Sequence, residues 1–512
     1  MIGLVLSACG FQLAGEQKLA PREPIPCDRV ASVWFANTSI TTTLVAAGAF
    51  TAPVQSFPGW AADYTQLPAF CRVTGSIKPT ADSDIRFELW LPAEIWNGNF
   101  MQTGNGAAAG SIMYSSLVDP LSRGYAVANT DTGHRGMGGE FTWAAGHPER
   151  LTDYAYRAVH ELTVVGKAIT TTHYGKTPQK SYWNGCSTGG RQGLKEAQRF
   201  PEDYDAIVAG APANNWLGMM SLSILIQNNM GPEGLGVNKL GILKQAAMES
   251  CDALDGVRDN VISVPVNCTF DPVVTRCEDR QSPQCLDQGE VEAARRIYAG
   301  VVNRTGETLM PGTGPGSEPL WAAYASPQFR IGESYFQNVV MEDQAWDSTT
   351  FRVDTDLTRA EQTDNGAVAA IEPDLSAFIA NGGKLIIYHG TVDGLIPYGS
   401  TVNYFESVVG RLGAERIEDH VKLYLVPGMS HCSGGDGAYA IDWQTAMEEW
   451  TARGKTPGIL RALRPDVIPG MYGSPPITGG GYTRPVCEYP KVVTYRGSGD
   501  NRDATNFECT VP

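Results

Sequence analysis

The sequence has no run of roughly 18 uninterrupted apolar residues, the length a membrane-spanning helix needs. Positive charge is scarce: 39 Lys and Arg stand against 55 Asp and Glu, a net charge of -16. That balance argues against a nucleic-acid or anionic-membrane partner, both of which select basic surfaces. No two cysteines fall in a CxxC spacing, so the common zinc-finger patterns are excluded. There is no internal repeat. The 57 Gly and 32 Pro are dispersed and indicate many loops, not low complexity.

What is present describes an ordinary folded chain. It has 512 residues, 42% hydrophobic and 18% charged. That length suits one large domain carrying a second, inserted one. The cysteines number eleven, at 9, 27, 71, 186, 251, 268, 277, 285, 432, 487 and 509. So many suggest an oxidising compartment and a disulfide framework with one left over. The odd one is Cys9. The run Leu6-Ser7-Ala8-Cys9-Gly10 resembles a bacterial lipoprotein box, although no basic segment precedes it and its apolar run is short. The expectation is export: secreted, periplasmic or lipid-anchored through Cys9.

The sequence is organised around Trp183-Asn184-Gly185-Cys186-Ser187-Thr188-Gly189-Gly190-Arg191. Ser181-Tyr182-Trp183 reads as a buried strand, and Thr188 to Arg199 as a helix stopped by Phe200-Pro201. A strand that reverses into a helix so quickly strains the residue between them. Gly two positions before and two after relieves the crowding and pushes Ser187 outward, the pattern of a nucleophile elbow.

Other strands follow the same logic. Ile85-Arg86-Phe87-Glu88-Leu89-Trp90-Leu91 alternates, and Pro92 ends it. The small, polar run Gln102 to Ala107 follows Phe100, and a loop of this kind lets backbone N–H groups approach a ligand closely. Tyr125–Thr130 is another strand and leads to His134, read as a structural, hydrogen-bonding histidine. Residues 151–172 form a helix, and Tyr204–Gly210 a buried strand. Strand–helix–strand spacing implies a parallel sheet. From 214 to 371 regular alternation stops, and cysteines, turns and aromatics take over. Strands resume at Gly383–Gly390 and Val421–Val426, and from about Pro469 the tail is loop-rich.

Ser187 needs a base, and the base needs an orienting carboxylate. Asp393 lies just beyond the strand ending at Gly390, and His431 just beyond the one ending at Val426. Each alone is an ordinary turn or loop residue. Together they stand in the chain order Ser, Asp, His, each at the C-terminal end of a strand, where doubly wound sheets build sites. Cys186 precedes Ser187 and Cys432 follows His431. If these two pair, the bond ties nucleophile to base.

The set Gly185-Cys186-Ser187-x-Gly189-Gly190-Arg191, Phe200-Pro201-x-x-Tyr204-Asp205, Ala209-Gly210-Ala211-Pro212, Asp393 and His431-Cys432 resembles the tannase and feruloyl esterase family, which also contains hydrolases of terephthalate monoesters. The resemblance runs from about Cys71 to Cys509 and is loose between 214 and 371. It implies an α/β-hydrolase with a doubly wound sheet and a large inserted lid. The division would be 1–26 for the leader-like segment and linker, 27–213 and 372–512 for the two parts of the core, and 214–371 for the lid. It implies Ser187, Asp393 and His431 as the triad, Cys186–Cys432 as the active-site disulfide, and the N–H groups of Thr188 and Gly106 as the oxyanion hole. It implies the further bonds Cys27–Cys71, Cys251–Cys268, Cys277–Cys285 and Cys487–Cys509.

It also implies a structural Ca2+ in the lid, held by the side chains of Asp252, Asp255 and Asp259 and the carbonyls of Val257 and Val261. Three carboxylates in a tight turn are the hard oxygen ligands that ion prefers. No organic cofactor is expected. The expected substrates are small esters of aromatic acids such as hydroxycinnamates or gallate. For a terephthalate-type monoester, Arg330 or Arg352 is the candidate cation. The lid aromatics Trp216, Trp321, Tyr324, Phe329, Tyr335, Phe336, Trp346 and Phe351 either sandwich an aromatic acid or form lid core; singly, each reads as core. A different class, an exported binding protein on the same fold, is an alternative, and a serine peptidase is a weaker rival within enzymes.

Overall fold

The computed structural model describes residues 23–53, 62–136, 138–231, 234–277, 284–465 and 481–512. The leader-like segment and Cys9 lie outside them. Nine strands form the central sheet: β1 (Thr38–Val45), β2 (Phe70–Ile77), β3 (Ile85–Pro92), β4 (Phe100–Thr103), β5 (Ala126–Thr130), β6 (Ser181–Cys186), β7 (Ala206–Gly210), β8 (Lys384–Gly390) and β9 (Val421–Val426). Their spatial order is β1-β2-β3-β5-β4-β6-β7-β8-β9. The six strands from β5 to β9 run parallel, and β1, β2 and β3 add to them antiparallel. The sheet is therefore mixed, where strand–helix spacing alone predicts a parallel one. The antiparallel strands need no crossover helix, and β1 carries the pattern of an edge strand: its residues alternate between half-buried and exposed from Thr38 to Thr43.

β7 is buried at every position, and β8 at every position after Lys384. Alternate residues feed two cores. Ile207, Ala209, Leu385 and Ile387 pack with Leu162, Ile169, Leu194 and Val408 on one face. Ala206, Val208, Ile386 and Tyr424 pack with Leu121, Met447 and Trp450 on the other. The helices Ala158–Tyr174, Thr188–Arg199 and Tyr398–Leu412 thus cover the first face. The helix expected at 151–172 is composite: Pro148–Thr152, a π-helical turn Asp153–Arg157, then Ala158–Tyr174. Asp153 and Tyr154 in that turn are both buried.

Between β7 and β8 the chain leaves the sheet. The insert packs Trp216, Leu243, Ile297, Trp321, Tyr335 and Phe336 into a core that it shares with Phe141 and Tyr154 of the preceding part of the chain. Phe329, Trp346 and Phe351 pack partly buried against that core, so most of the aromatics in this region are structural. The C-terminal region is more regular than its Gly and Pro content predicts. Leu460–Arg464 pairs with Tyr482–Val486, and Val492–Tyr495 with Phe507–Thr510. Five disulfides join the described cysteines: Cys27–Cys71, Cys186–Cys432, Cys251–Cys268, Cys277–Cys285 and Cys487–Cys509.

Candidate active site

Ser187 sits between β6 and the helix Thr188–Arg199 with φ 64° and ψ -123°, a region costly for any residue with a Cβ. The glycines around it are sterically required. A Cβ on Gly185 would lie 2.7 Å from the carbonyl carbon and oxygen of Gly189, and one on Gly190 2.2 Å from the Gly210 oxygen. The strained turn is held by its own backbone: the Ser187 N–H donates to Gly210 (2.9 Å), and its carbonyl accepts from Arg191 and Ala213.

The loop after β4 is laced to this helix. The Gly189 N–H donates to the Asn105 carbonyl at 2.8 Å. The Asn105 N–H donates to Gln192 Oε1, and Gln192 Nε2 donates back to Asn105 Oδ1, both at 3.0 Å. The Thr188 hydroxyl donates to the Ala107 carbonyl. Thr188 opens the helix, so its N–H has no intrahelical partner. Gly106 lies inside the laced segment. In the sequence Asn105 is one residue of the run Gln102 to Ala107 and Gln192 one residue of the helix Thr188 to Arg199; their pairing joins positions 87 apart, which no local pattern reveals.

Asp393 follows β8 and is fully buried. Its Oδ2 accepts from His431 Nδ1 at 2.6 Å and faces His389 Nε2 at 3.2 Å. Its Oδ1 accepts from the N–H groups of Leu395 (2.9 Å) and Ile396 (3.0 Å). Burial pushes this carboxyl upward, but the charge of His431 and the hydrogen bonds from His389 and His431 outweigh it, holding Asp393 well below the usual carboxylate range. With Nδ1 of His431 committed to Asp393, Nε2 is the nitrogen able to take a proton.

The loops carrying the two residues are stitched together: Val392 N–H donates to the Met429 carbonyl, and Gly428 N–H to the Thr391 hydroxyl. The Cys186–Cys432 bond, with Cα atoms 5.9 Å apart, then places Ser187 and His431 each one residue from a shared covalent link. His134 packs as a buried structural residue, with Nε2 2.8 Å from the Ala108 carbonyl and its ring stacked on Trp143; burial pushes its pKa down to about 3.

The insert reaches this site. The Tyr324 hydroxyl donates to the Leu395 carbonyl at 2.7 Å, beside Asp393. Arg191, fully buried, donates to Ala155 and Val368 carbonyls and lies over the rings of Tyr154 and Trp216. It joins the elbow helix to the insert. Arg330 is paired with Glu333 at 3.0 Å.

Two groups invite a metal ion. At 252–261, Asp252 accepts from the N–H groups of Asp259, Asn260 and Val261 and so shapes the turn. Asp255 Oδ2 and Asp259 Oδ1 are buried with no hydrogen-bond partner among the described residues. Burial pushes Asp255 up to about 6, and the neighbouring acidic charges add to it. Arg484 pairs with the other oxygen of Asp259. Orphaned carboxylate oxygens in a tight turn fit a hard cation. The second group, His160, Glu196 and Asp203, has potential ligand atoms within 4.8 Å of one another. His160 Nδ1 is 2.6 Å from Asp203, and Lys167 donates to the Asp203 carbonyl, so this cluster carries its own positive charge.

A sheet whose strands β4 to β9 run parallel, an elbow serine after β6, and an Asp and a His after β8 and β9 define an α/β-hydrolase. The family model for tannase and feruloyl esterase matches residues 71–510, and the chain belongs to that family. An uncharacterised esterase of Xanthomonas campestris pv. campestris is 35% identical, over 94% of this chain and 91% of its own. A probable feruloyl esterase B-1 of Aspergillus flavus is 33% identical over 86% of each. Among solved structures, feruloyl esterase B from Aspergillus oryzae superposes with a TM-score of 0.86 at 30% identity, covering 94% of this chain and 99% of that one. Tannin acyl hydrolase from Aspergillus niger shares the fold, with a TM-score of 0.77 at 23% identity. The chain is a carboxylic ester hydrolase.

Proposed function

We propose that the protein cleaves esters of aromatic carboxylic acids through Ser187, His431 and Asp393. The observation that carries this reading is the 2.6 Å Asp393–His431 contact, coupled through Cys186–Cys432 to the strained Ser187. His431 Nε2 takes the Ser187 Oγ proton as the oxygen attacks the ester carbonyl. The N–H groups of Thr188 and Gly106 hold the resulting oxyanion. His431 returns the proton to the leaving alcohol, and the acyl group stays on Ser187. Water then gives a proton to His431 and attacks the acyl-enzyme; the acyl–Oγ bond breaks, His431 returns the proton to Ser187 Oγ, and the acid leaves. Asp393 orients the imidazole and stabilises its cationic form throughout.

The aromatic-acid preference rests on the relatives named feruloyl esterase and on the insert, whose Tyr324 packs against the turn that carries Asp393. A panel of methyl esters (ferulate, caffeate, p-coumarate, sinapate, gallate) and a terephthalate monoester, with Ser187→Ala as control, tests it. Turnover of hydroxycinnamates over gallate makes it a feruloyl esterase. Turnover by Ser187→Ala equal to the wild type overturns the mechanism.

The Ca2+ reading is part of this proposal. Asp252, Asp255, Asp259 and the carbonyls of Val257 and Val261 would hold it as a structural clamp on the insert. Export follows from the five disulfides, which persist in oxidising compartments.

A further inference from the structure

Asp393 is held by two histidines, and only one of them belongs to the proposed triad. His389 stands one residue before the end of β8 and is fully buried. Its Nε2 lies 2.8 Å from the Ile396 carbonyl and 3.2 Å from Asp393 Oδ2. Its Nδ1 lies 2.7 Å from the Thr401 hydroxyl on the helix Tyr398–Leu412. Two acceptors face Nε2, so the ring hydrogen sits there, and Nδ1 accepts from Thr401. The ring then bridges three elements: the strand that carries it, the Asp393–Ile396 turn, and the following helix.

We propose that His389 is a positioning residue for the Asp393–His431 pair: it fixes Asp393 Oδ2 by a second donor and locks the 393–396 turn by its bond to Ile396. The role rests on the mechanism proposed above.

The geometry gives the role its content. Asp393 Oδ1 is already pinned by the Leu395 and Ile396 N–H groups. Those bonds fix one oxygen and leave the carboxylate able to tilt about it. The His389 donor removes that freedom on the side that meets His431. It also draws electron density from Oδ2, tempering how strongly Asp393 stabilises a protonated His431. The groups facing this pair from the packed elements are His431, Thr401 and Tyr324, whose hydroxyl donates to the Leu395 carbonyl. No Lys, Arg or Glu side chain bonds to His389 or Asp393 among the described residues.

The test compares wild type, His389→Leu, His389→Gln and Thr401→Val in the full chain. A fluorophosphonate labels Ser187 across a pH series, so the rate reads the nucleophile without assuming a substrate. Methyl ferulate then separates kcat from KM. Melting temperature controls for folding. His389→Leu is expected to label about 10- to 100-fold more slowly, the scale of a small misplacement at a reacting centre. Its acid limb moves to higher pH, and KM stays unchanged. His389→Gln recovers most of the rate, because its amide N–H and carbonyl can meet the same partners. Thr401→Val moves the acid limb the same way by less.

An unmoved acid limb in all three variants overturns the proposal, whether or not rates fall, since loss of packing alone would leave it in place. Wild-type labelling by His389→Leu also overturns it. If His389→Leu does not fold, the acid limb of Thr401→Val decides between the same two outcomes. Wild-type enzyme that labels but ignores methyl ferulate would remove the substrate assignment and leave this comparison intact.

Discussion

Cys186 and Cys432 are 246 residues apart and joined, so the strand end before Ser187 and the loop after His431 are one covalent unit. Cys432 adopts φ 65° and Ser187 φ 64°, so the bond spans two backbone segments that are each sterically costly. Replacing both cysteines by Ala should lower stability by about 5 kcal/mol in the chain-entropy account of so long a loop. Turnover should fall more than KM rises. Thermal unfolding and steady-state kinetics on the double variant check both. Unchanged kcat would mean the bond is structural only.

Asp393→Asn should reduce turnover by about ten-thousand-fold, because the wrong tautomer of His431 is then held. The stability effect has a definite sign. Asp393 is depressed in the folded state, so its contribution is present above the unfolded carboxylate value and is lost as pH falls through the lower, folded one. The melting difference between wild type and variant should therefore be full at neutral pH and shrink only below pH 3.8. A gap that persists unchanged into that acid range contradicts it.

Glu196 has the opposite sign. Burial, then the adjacent Asp203 carboxylate, holds it well above its ordinary value of 4.5. The folded state keeps a proton the unfolded chain has released, so this group favours folding at low pH and loses that contribution as pH rises. Glu196→Gln should raise Tm by about 2 °C at neutral pH or above, and by less near pH 4.5. A lower Tm at neutral pH would show instead that the carboxylate is ionised and paired with Lys167.

Chelation should destabilise the insert. An ion present at about 100 times its Kd adds about 2.7 kcal/mol, so EDTA should lower Tm by several degrees and added Ca2+ restore it. Asp255→Asn should respond to neither. Metal analysis finding no calcium in the purified protein, with Tm indifferent to EDTA, would retire the site.

The Asn105–Gln192 exchange predicts a specific lesion. Gln192→Ala removes one donor and one acceptor from the loop that carries Gly106, at a buried position. Turnover should fall about tenfold through a displaced oxyanion donor. Methyl ferulate kinetics read it, and an unchanged kcat would separate this loop from catalysis.

The sequence by itself determined the parts whose physics is local. Gly185, Ser187 and Gly189 reveal the elbow because the crowding they relieve acts within five residues. Runs such as Leu385–Tyr388 and Ala206–Gly210 reveal central strands because burial on both faces excludes polar residues. Asp393 and His431 were legible because each follows such a run by a few positions.

Tertiary structure decided what depends on contacts across the sheet. That β1, β2 and β3 run antiparallel follows from edge pairing, which leaves the same alternation in either direction. Tyr324 rests on the Asp393 turn, and Arg191 joins the elbow helix to the insert, through contacts between distant segments. His389 was visible as a letter beside a glycine. Only the packing of β8 against the helix Tyr398–Leu412 turned its ring between Thr401, Ile396 and Asp393, because a hydrogen bond needs three-dimensional coincidence that no spacing along the chain encodes.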